Sequence, residues 1–514
     1  MSASTNAGMS APPARAHHNA LRLRYLGIDT YQHHVVFLRV DSPICRSEGF
    51  SAQSRIEVRL GAKSLIATLN VVRSELFGEG EGSLSESAWV ALGAKPGDEI
   101  VLSHPAPLDS LSHVRAKIYG KPFTEQAMRE VVRDIAAGRY SDLQLSAFVT
   151  ACAGNHLDLA ETVALTRAMV EVGERVRWPF AQVMDKHCVG GLPGNRTTPI
   201  VVAIAAAAGL VIPKTSSRAI TSPAGTADTM ETLAPVDLDT AAMRRVVEKE
   251  GGCIVWGAAV GLSPADDVLI RVERPLVLDS EGQLVASVLS KKAAAGATHV
   301  VIDMPVGQTA KVRSLESAAF LRERLESVGA ALDLSVRVVL TDGNQPVGRG
   351  IGPALEARDV LAVLERRANA PADLRERSLL IAGMLLQQSG RAGDSVRHAT
   401  ALLDDGRARD KFLAICEAQG GARVPPAARH THPIAAPRRG VVAEIDNRRL
   451  ARAAKLAGAP KAAAAGIEYL APLGRTVDKG EPLFVLHAES KGELEYALDY
   501  VSAQADIVAL AEPG

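Results

Sequence analysis

Hydrophobic residues follow three different spacings along the chain. In the first quarter, short runs rich in Val, Ile and Leu alternate with Gly, Asp and Asn, which is typical of strands joined by turns. These runs predict a small β-rich domain over residues 21–110. Apolar residues then recur three and four positions apart, with Thr124 and Asp158 as candidate N-caps, and this pattern predicts a helical domain over 111–180.

The remainder of the chain alternates strand-like runs with helical runs rich in Ala and Leu. Strand-like runs at 252–255 and 300–303 predict a large, mostly parallel α/β domain over 181–430, with helices on both faces of its sheet. After a Pro-rich stretch, β-rich runs return and predict a small α/β C-terminal domain over 431–502. The expected fold class is therefore a multidomain α/β protein, and the small, polar residues 1–20 are expected to form a disordered tail.

The charge balance argues against nucleic acid or a membrane as partner. The chain has 58 basic and 58 acidic residues and only 4% aromatic residues, so no net field attracts polyanions and few rings can stack on bases. No apolar run reaches the ~18 residues that a membrane span requires. The five cysteines show no CxxC spacing, which predicts a reducing, cytoplasmic location. Any anion site must therefore be local.

Two polar loops flank the apolar run Pro199 to Leu210. The first, Lys186 to Thr198, contains three glycines that let the backbone approach a ligand, and Pro199 is expected at the first position of the next helix. The second, Lys214 to Thr226, has eight Ser, Thr, Lys or Arg residues after a strand-like run that Pro213 is expected to end. Either loop alone also suits an ordinary turn, but together they predict an anion site.

Both loops carry motifs of a known family. Asp185 to Gly191, DKHCVGG, resembles the DKHS-x-GG signature of the thymidine and pyrimidine-nucleoside phosphorylase family. Lys214 to Ser222, KTSSRAITS, continuing through 224–228, resembles the second phosphate and nucleoside loop of that family. The amino-acid sequences of both loops are most similar to those of the long branch, which comprises AMP phosphorylases and "type 2" thymidine phosphorylases. The resemblance runs from about residue 21 to about residue 502.

The resemblance implies a pentosyltransferase that cleaves a pyrimidine nucleoside with phosphate, converting thymidine to thymine and 2-deoxyribose 1-phosphate. An AMP phosphorylase that yields ribose 1,5-bisphosphate is the alternative, and the KTSSRAITS wording favours it. More remote alternatives are an anthranilate-phosphoribosyltransferase-like enzyme and a nucleotide-binding regulator without catalysis. Phosphorolysis uses inorganic phosphate as co-substrate and requires no metal or organic cofactor. The family usually forms homodimers through its helical domain.

The resemblance also implies a set of site residues. His187 and Lys186 are expected at the reacting centre, and Asp279 matches the residue proposed as proton donor to the leaving base. Substrate and phosphate contacts are expected from Gly191, Thr198 (or its neighbour Thr197), Ser216, Ser217, Arg218, Ala219, Ile220, Thr221, Ser222, Thr226, Ser287, Lys291 and Lys311. No metal ligand is expected.

Two positions depart from the family pattern. Cys188 stands where a Ser is typical, which weakens one expected phosphate contact because a thiol is a poor donor; a low-pKa nucleophilic Cys188 is a remote alternative. The run Asp267 to Arg271 lacks the Tyr that flanks the base in pyrimidine phosphorylases, which leaves room for a larger base or a 5′-phosphate. Two residues also have ordinary structural interpretations: His187 suits a hinge bonded to backbone, and Asp279 suits a turn.

Overall fold

The computed structural model describes residues 19–219, 222–276, 278, 280–391, 393–504 and 506–512, without the side chain of Arg274. The predicted tail, residues 1–20, lies outside the described part up to residue 18, and Ala20 already belongs to the first strand. The chain divides into two compact units, one of Met1–Ser112 with Ala137–Leu145 and one of His113–Ala136 with Ser146–Gly514.

The first unit contains a closed six-stranded barrel with strand order β1-β5-β2-β4-β3-β6. Its strands and two short helices are β1 (Ala20–Leu23), β2 (Val35–Arg39), α1 (Pro43–Ser47), β3 (Arg55–Leu60), β4 (Lys63–Val72), β5 (Glu81–Leu84), α2 (Glu86–Leu92) and β6 (Glu99–Ser103). Alternate residues of the strands point inward, so that Ile56 and Val58 of β3 are fully buried. The N-terminal β-rich architecture is therefore confirmed. Sequence patterning missed β5, because its EGSL run has little β propensity.

Four helices follow the barrel strands: α3 (Leu111–Ile118), α4 (Glu125–Ala136), α5 (Asp142–Cys152) and α6 (Leu159–Glu171). Thr124 caps α4, since its Oγ1 accepts a hydrogen bond from the backbone N–H of Ala127 at 3.2 Å. Asp158 and Glu161 form a reciprocal capping box at the start of α6. Both caps are as predicted, and they show that local sequence signals set the helix boundaries here.

The central α/β region contains two parallel sheets. Strands β7 (Met184–Cys188), β10 (His299–Val306) and β11 (Ser335–Asp342) form one sheet in the order β11-β10-β7, and β8 (Ile212–Ser216) pairs with β9 (Gly252–Trp256) in the other. The surrounding helices are α7 (Thr197–Ala207), α8 (Thr226–Glu231), α9 (Thr240–Glu250), a 3₁₀ turn (Gly257–Val260), α10 (Pro264–Leu276), α11 (Glu281–Ala294), α12 (Leu315–Ala331), α13 (Pro353–Leu364), α14 (Ala372–Gln388), α15 (Ser395–Asp404) and α16 (Arg407–Ala418). Helix α7 is buried from Thr197 to Ala206, so it lies within the hydrophobic core of this region.

Two local predictions in this region are wrong. Helix α7 begins at Thr197, which places Pro199 in its third position and not in its first. Strand β8 continues through Pro213 to Ser216, although Pro213 was expected to end the strand. The N–H of Ile212 donates to Gly251 O at 2.8 Å, and alternate residues of a parallel strand face the same neighbour. The missing N–H of Pro213 therefore faces away from β9 and costs that pairing nothing.

The C-terminal region has two small antiparallel sheets with orders β12-β15-β17-β13 and β16-β14-β18. Its elements are β12 (Gly350–Ile351), β13 (His430–Ala435), β14 (Gly440–Ile445), α17 (Asn447–Leu456), β15 (Gly466–Tyr469), β16 (Thr476–Val477), β17 (Pro482–Ala488), α18 (Lys491–Ala503) and β18 (Val508–Ala511). Strand β12 comes from the preceding region and pairs with β15. The multidomain α/β fold class is confirmed, and no helix in the described part of the chain is long and apolar enough to span a bilayer.

Candidate active site

The first polar loop connects the end of β7 to the start of α7, and its glycines have positive φ angles. Gly191 has φ +80°, and a Cβ built there would lie 2.4 Å from the backbone nitrogen of Lys311. Only glycine fits this approach without a shift of the backbone. The loop therefore brings Gly191 and Lys311, both predicted substrate contacts, side by side.

Lys186 lies in β7, at the start of this loop, and is fully buried. Its Nζ donates to Thr197 Oγ1 at 2.6 Å and lies 3.4 Å from Thr198 Oγ1. Burial lowers the pKa of Lys186 below its ordinary value, and the nearby Cys188 and Asp303 act in the opposite sense. The structure thus brings the predicted lysine and threonines together around one ammonium group.

A second group of buried charges surrounds Asp185, a residue that sequence reasoning did not assign to the site. Its Oδ2 lies 2.8 Å from Lys292 Nζ, and its Oδ1 lies 3.4 Å from Lys214 Nζ. All three side chains are at most 5% exposed. Burial lowers the pKa of Lys214 to about 7, and Asp185 opposes that shift. Two lysines around one carboxylate give this group a net positive charge when both lysines are protonated, which favours an anion. Lys186, the next residue of β7, interacts instead with Asp303 and Cys188.

His187 is half-buried among these lysines. Burial first, and then the charges of Lys292, Lys214, Lys186 and Lys291, hold the pKa of His187 well below its ordinary value. The imidazole is therefore neutral near pH 7, and each ring nitrogen can either donate or accept one hydrogen bond. This suits a group that orients a sugar or a base better than one that contributes positive charge.

Cys188 is a thiol and not a thiolate in this environment. Burial raises the pKa of Cys188 to about 11, and the charge of Asp303 adds to the rise. Its sulfur accepts a hydrogen bond from Asn195 Nδ2 at 3.3 Å, and the same Nδ2 donates to Asp303 Oδ2 at 2.9 Å. The low-pKa nucleophile considered for Cys188 is therefore contradicted.

Ser216, at the carboxyl end of β8, has a buried hydroxyl group. The residue is 8% exposed, and its Oγ has no hydrogen-bond partner among the described residues. A buried hydroxyl without a partner costs free energy, so native structures usually satisfy such groups. An incoming ligand with an acceptor oxygen would satisfy Ser216, which agrees with its predicted place in the phosphate cradle.

The rest of the second loop folds around Asp228. Its Oδ2 accepts the backbone N–H groups of Ala219, at 2.6 Å, and Gly225, at 2.8 Å. Ser222 Oγ donates to Ala224 O at 2.9 Å, which closes the end of the loop. Ser217 is exposed. The predicted contacts Ile220 and Thr221 lie outside the described residues.

The guanidinium of Arg218 is held by acidic side chains of the same region. It lies 2.5 and 3.0 Å from the two carboxylate oxygens of Glu231, and 3.4 Å from Asp228 Oδ1. Its carbon lies 4.8 Å from the ring centroid of Trp256. These contacts, with Glu231 first, raise the pKa of Arg218 above its ordinary value. The side chain therefore braces the loop, and it lines a cavity of about 530 Å³ together with Arg423.

Arg196 joins the two loops, and sequence reasoning missed it. Its Nη1 donates to Thr226 Oγ1 at 2.6 Å, its Nη2 donates to Ala224 O at 2.9 Å, and its Nε donates to Glu356 Oε2 at 2.6 Å. Glu356 is 2% exposed and belongs to α13. An arginine inside a glycine-rich loop was the only sequence signal, because its partners lie far along the chain.

The predicted base and sugar contacts lie on α11 and near it. Ser287 and Lys291 are four residues apart on this helix, so they share one face, and Lys291 forms an ion pair with Asp266 of α10. Asp279 lies outside the described residues. Ser280 caps α11, its Oγ accepting from Gln283 N at 3.4 Å, so the stretch after Asp279 starts a helix where a turn was also considered.

Helix α10 adds two carboxyl groups that sequence reasoning missed. Burial raises the pKa of Glu273 to about 7, with a further rise from Asp266 and an opposing effect of Lys311. Burial also raises the pKa of Asp267 to about 6. Glu273 thus feels the charge of a predicted substrate contact and is partly protonated near neutral pH. Within the described residues, no group of three or more His, Cys, Asp or Glu side chains could hold a metal ion.

Three segments of the chain match family models. Residues 112–173 match the helical bundle domain of a glycosyl transferase family, and residues 181–409 match the α/β domain of that family. Residues 441–508 match the C-terminal domain of pyrimidine nucleoside phosphorylases. Among solved structures, anthranilate phosphoribosyltransferase from Saccharomyces cerevisiae superposes with a TM-score of 0.50 at 12% identity, over 61% of this chain and 98% of that chain. That likeness shows the fold alone.

Curated relatives align with almost the whole chain. A Polaromonas sp. (strain JS666) protein named "Putative thymidine phosphorylase" is 63% identical over 494 residues, which cover 96% of this chain and 97% of the relative. A protein of the same name from Legionella pneumophila (strain Paris) is 58% identical over 513 residues, covering 99% of this chain and 98% of the relative. The chain therefore belongs to the thymidine and pyrimidine-nucleoside phosphorylase family.

Proposed function

We propose that this protein cleaves the N-glycosidic bond of a pyrimidine nucleoside, thymidine first, with inorganic phosphate. Phosphate oxygen forms a bond to C1′ of the sugar, the bond between C1′ and the base breaks, and the products are free base and (deoxy)ribose 1-phosphate. The names of the relatives and the match of 441–508 to a pyrimidine nucleoside phosphorylase domain support this reaction. The proposal includes no metal or organic cofactor.

The observation that carries the phosphate site is the buried hydroxyl of Ser216, for which the described part of the chain offers no hydrogen-bond partner. Ser216 lies two residues after the buried Lys214. Phosphate can accept from that hydroxyl, and its negative charge balances the positive charge that Lys214 and Lys292 place around Asp185. Phosphate held there would be positioned for attack without the entropic cost of a free encounter.

The leaving base must acquire a proton as its bond to the sugar breaks. Asp279 remains our proposed donor, by its match to the family. Neutral His187 would orient the sugar or base, and Ser287, Lys291 and Lys311 would contact the nucleoside. By the same resemblance we propose a homodimer that assembles through the helical domain.

A second candidate substrate is a nucleoside 5′-monophosphate, which would yield ribose 1,5-bisphosphate. The observation that favours it is the absence of Tyr from Asp267 to Arg271, in α10, where pyrimidine phosphorylases place a ring beside the base. Smaller aliphatic side chains there leave more room for the ligand.

Release of free base from thymidine, uridine, adenosine and AMP, each with and without phosphate, tests both candidates. We expect phosphate-dependent release from thymidine or uridine. Release from AMP but not from adenosine would move the assignment to nucleotide phosphorolysis. Activity that requires magnesium and phosphoribosyl diphosphate, and no inorganic phosphate, would refute phosphorolysis. Phosphate-induced stabilisation without any turnover would identify a binding protein.

A further inference from the structure

All three guanidinium nitrogens of Arg196 are occupied by different parts of the site. Nε binds Glu356, Nη1 binds the Thr226 hydroxyl, and Nη2 binds the carbonyl of Ala224. The side chain of Arg196 is only 12% exposed and that of Glu356 only 2%, so both groups are held away from solvent. Arg196 belongs to the first loop, whereas Thr226 and Ala224 belong to the second. One planar side chain therefore fixes the spacing of the two loops.

We infer that Arg196, anchored by Glu356, is a positioning residue that couples the two loops and orients the Thr226 hydroxyl as a donor toward phosphate. This inference rests on the proposed phosphorolysis. Thr226 Oγ1 accepts from Arg196 Nη1, so its own hydrogen cannot point at the guanidinium and is left to donate elsewhere. The cation also polarises the hydroxyl, which strengthens a hydrogen bond that it donates to an anion.

Glu356 holds the guanidinium group of Arg196 in place through hydrogen bonds to several elements. Its Oε2 accepts from Arg196 and, at 3.2 Å, from Thr229 Oγ1, while its Oε1 accepts from the backbone N–H of Gly352 at 3.2 Å. Thr229 lies on α8, one turn after Thr226. The carboxylate thus ties α8 and the start of α13 to the same guanidinium, and the loops cannot separate without breaking buried charged hydrogen bonds.

Lysine at position 196 would keep the charge but lose the geometry. An ammonium group can bind Glu356 or Thr226, but it cannot serve three acceptors along the edges of one rigid plane. Arg196→Lys therefore distinguishes a requirement for positive charge from a requirement for the planar set of guanidinium donors. Arg196→Met removes both, and Thr226→Val removes the hydroxyl that we infer to be oriented.

The experiment measures KM for phosphate, KM for nucleoside and kcat in the whole protein carrying each substitution and in the double variant R196M/T226V. We expect Arg196→Met to raise the phosphate KM at least ~10-fold, the scale of one charged hydrogen bond, with the nucleoside KM within ~2-fold of the unmodified protein. Arg196→Lys should keep most of this rise. The double variant should be no worse than the more impaired single variant, because both act through one hydroxyl.

Lys117→Met is the matched control. Lys117 forms a similarly buried pair with Glu161, at 2.6 Å, in the helical domain, so its loss disturbs stability without touching the two loops. It should leave the phosphate KM unchanged. An equal rise of phosphate KM in Lys117→Met, a normal phosphate KM in Arg196→Lys, or additive effects in the double variant would each overturn the inference.

Thermal stabilisation by inorganic phosphate provides a readout that needs no turnover. If the unmodified protein releases no base, phosphorolysis is wrong, and the inference is then judged on binding alone. It holds if phosphate raises the Tm of the unmodified protein but not that of Arg196→Met, while Lys117→Met responds normally. A phosphate-induced shift that is equal in all three proteins overturns it.

Discussion

Replacing Gly191 by alanine would place a methyl group against the backbone of Lys311. The added carbon would lie 2.4 Å from the nitrogen and 2.9 Å from the Cα of Lys311, well inside the ~3.5–4 Å of ordinary contacts. The backbone of either segment must therefore shift by about 1 Å, and a misplacement of that size in a catalytic site can cost about 100-fold in rate. We expect Gly191→Ala to lower kcat/KM for nucleoside and phosphate by about that factor.

Gly190 provides the control for this substitution. It has φ +89°, close to the +80° of Gly191, but a Cβ built there meets nothing within 4 Å. Both alanine variants therefore pay the same left-handed backbone penalty, about 1–2 kcal/mol, and only Gly191→Ala adds the collision. Thermal unfolding should show a smaller loss for Gly190→Ala, and base-release kinetics should show activity within ~3-fold of the unmodified protein. Equal losses of kcat/KM in the two variants would refute the reasoning.

Two further predictions concern charged groups of the site. Lys186→Ala and Asp279→Asn should each lower turnover at least ~10-fold, about 1.4 kcal/mol in the activation barrier. Full activity of both variants in the base-release assay would contradict the assignment of these residues to the active site. Glu273 binds a proton more tightly in the folded than in the unfolded chain, since burial raises its pKa from 4.5 to about 7. Its contribution to stability therefore falls as pH rises between these values, by up to about 3 kcal/mol. Glu273→Gln should flatten the decline in unfolding free energy from pH 5 to 8, and an unchanged slope would contradict the buried environment.

Local sequence signals predicted the parts of the site that lie within one loop. Lys186 and Thr197 are eleven residues apart in a single glycine-rich connection, so their contact followed from the motif. Arg196 and Glu356 are 160 residues apart, and only the fold brings them together. Only the fold brings Asp185 and Lys292 together as well, because Asp185 lies in β7 and Lys292 lies in α11.

The boundaries of helices and strands also divide into those that local sequence signals predict and those that depend on the fold. Caps at Thr124 and Asp158 were predictable, because each depends on residues three positions away. The extension of β8 past Pro213 was not, because it depends on which edge of the strand faces its neighbour β9. The raised pKa values on α10 could not be predicted either, since they arise from burial that a linear pattern does not report.

Strand β12 has a consequence for how this protein can be divided. Gly350 and Ile351 pair with Glu468 and Ile467 of the C-terminal region, and the chain then enters α13, which carries Glu356. A cut that removes the C-terminal region would strip β12 of its pairing partner and loosen the helix that holds Arg196. The region from His430 onward is thus not an exchangeable module, and recombination between homologues at this boundary would have to preserve a strand pairing that crosses it.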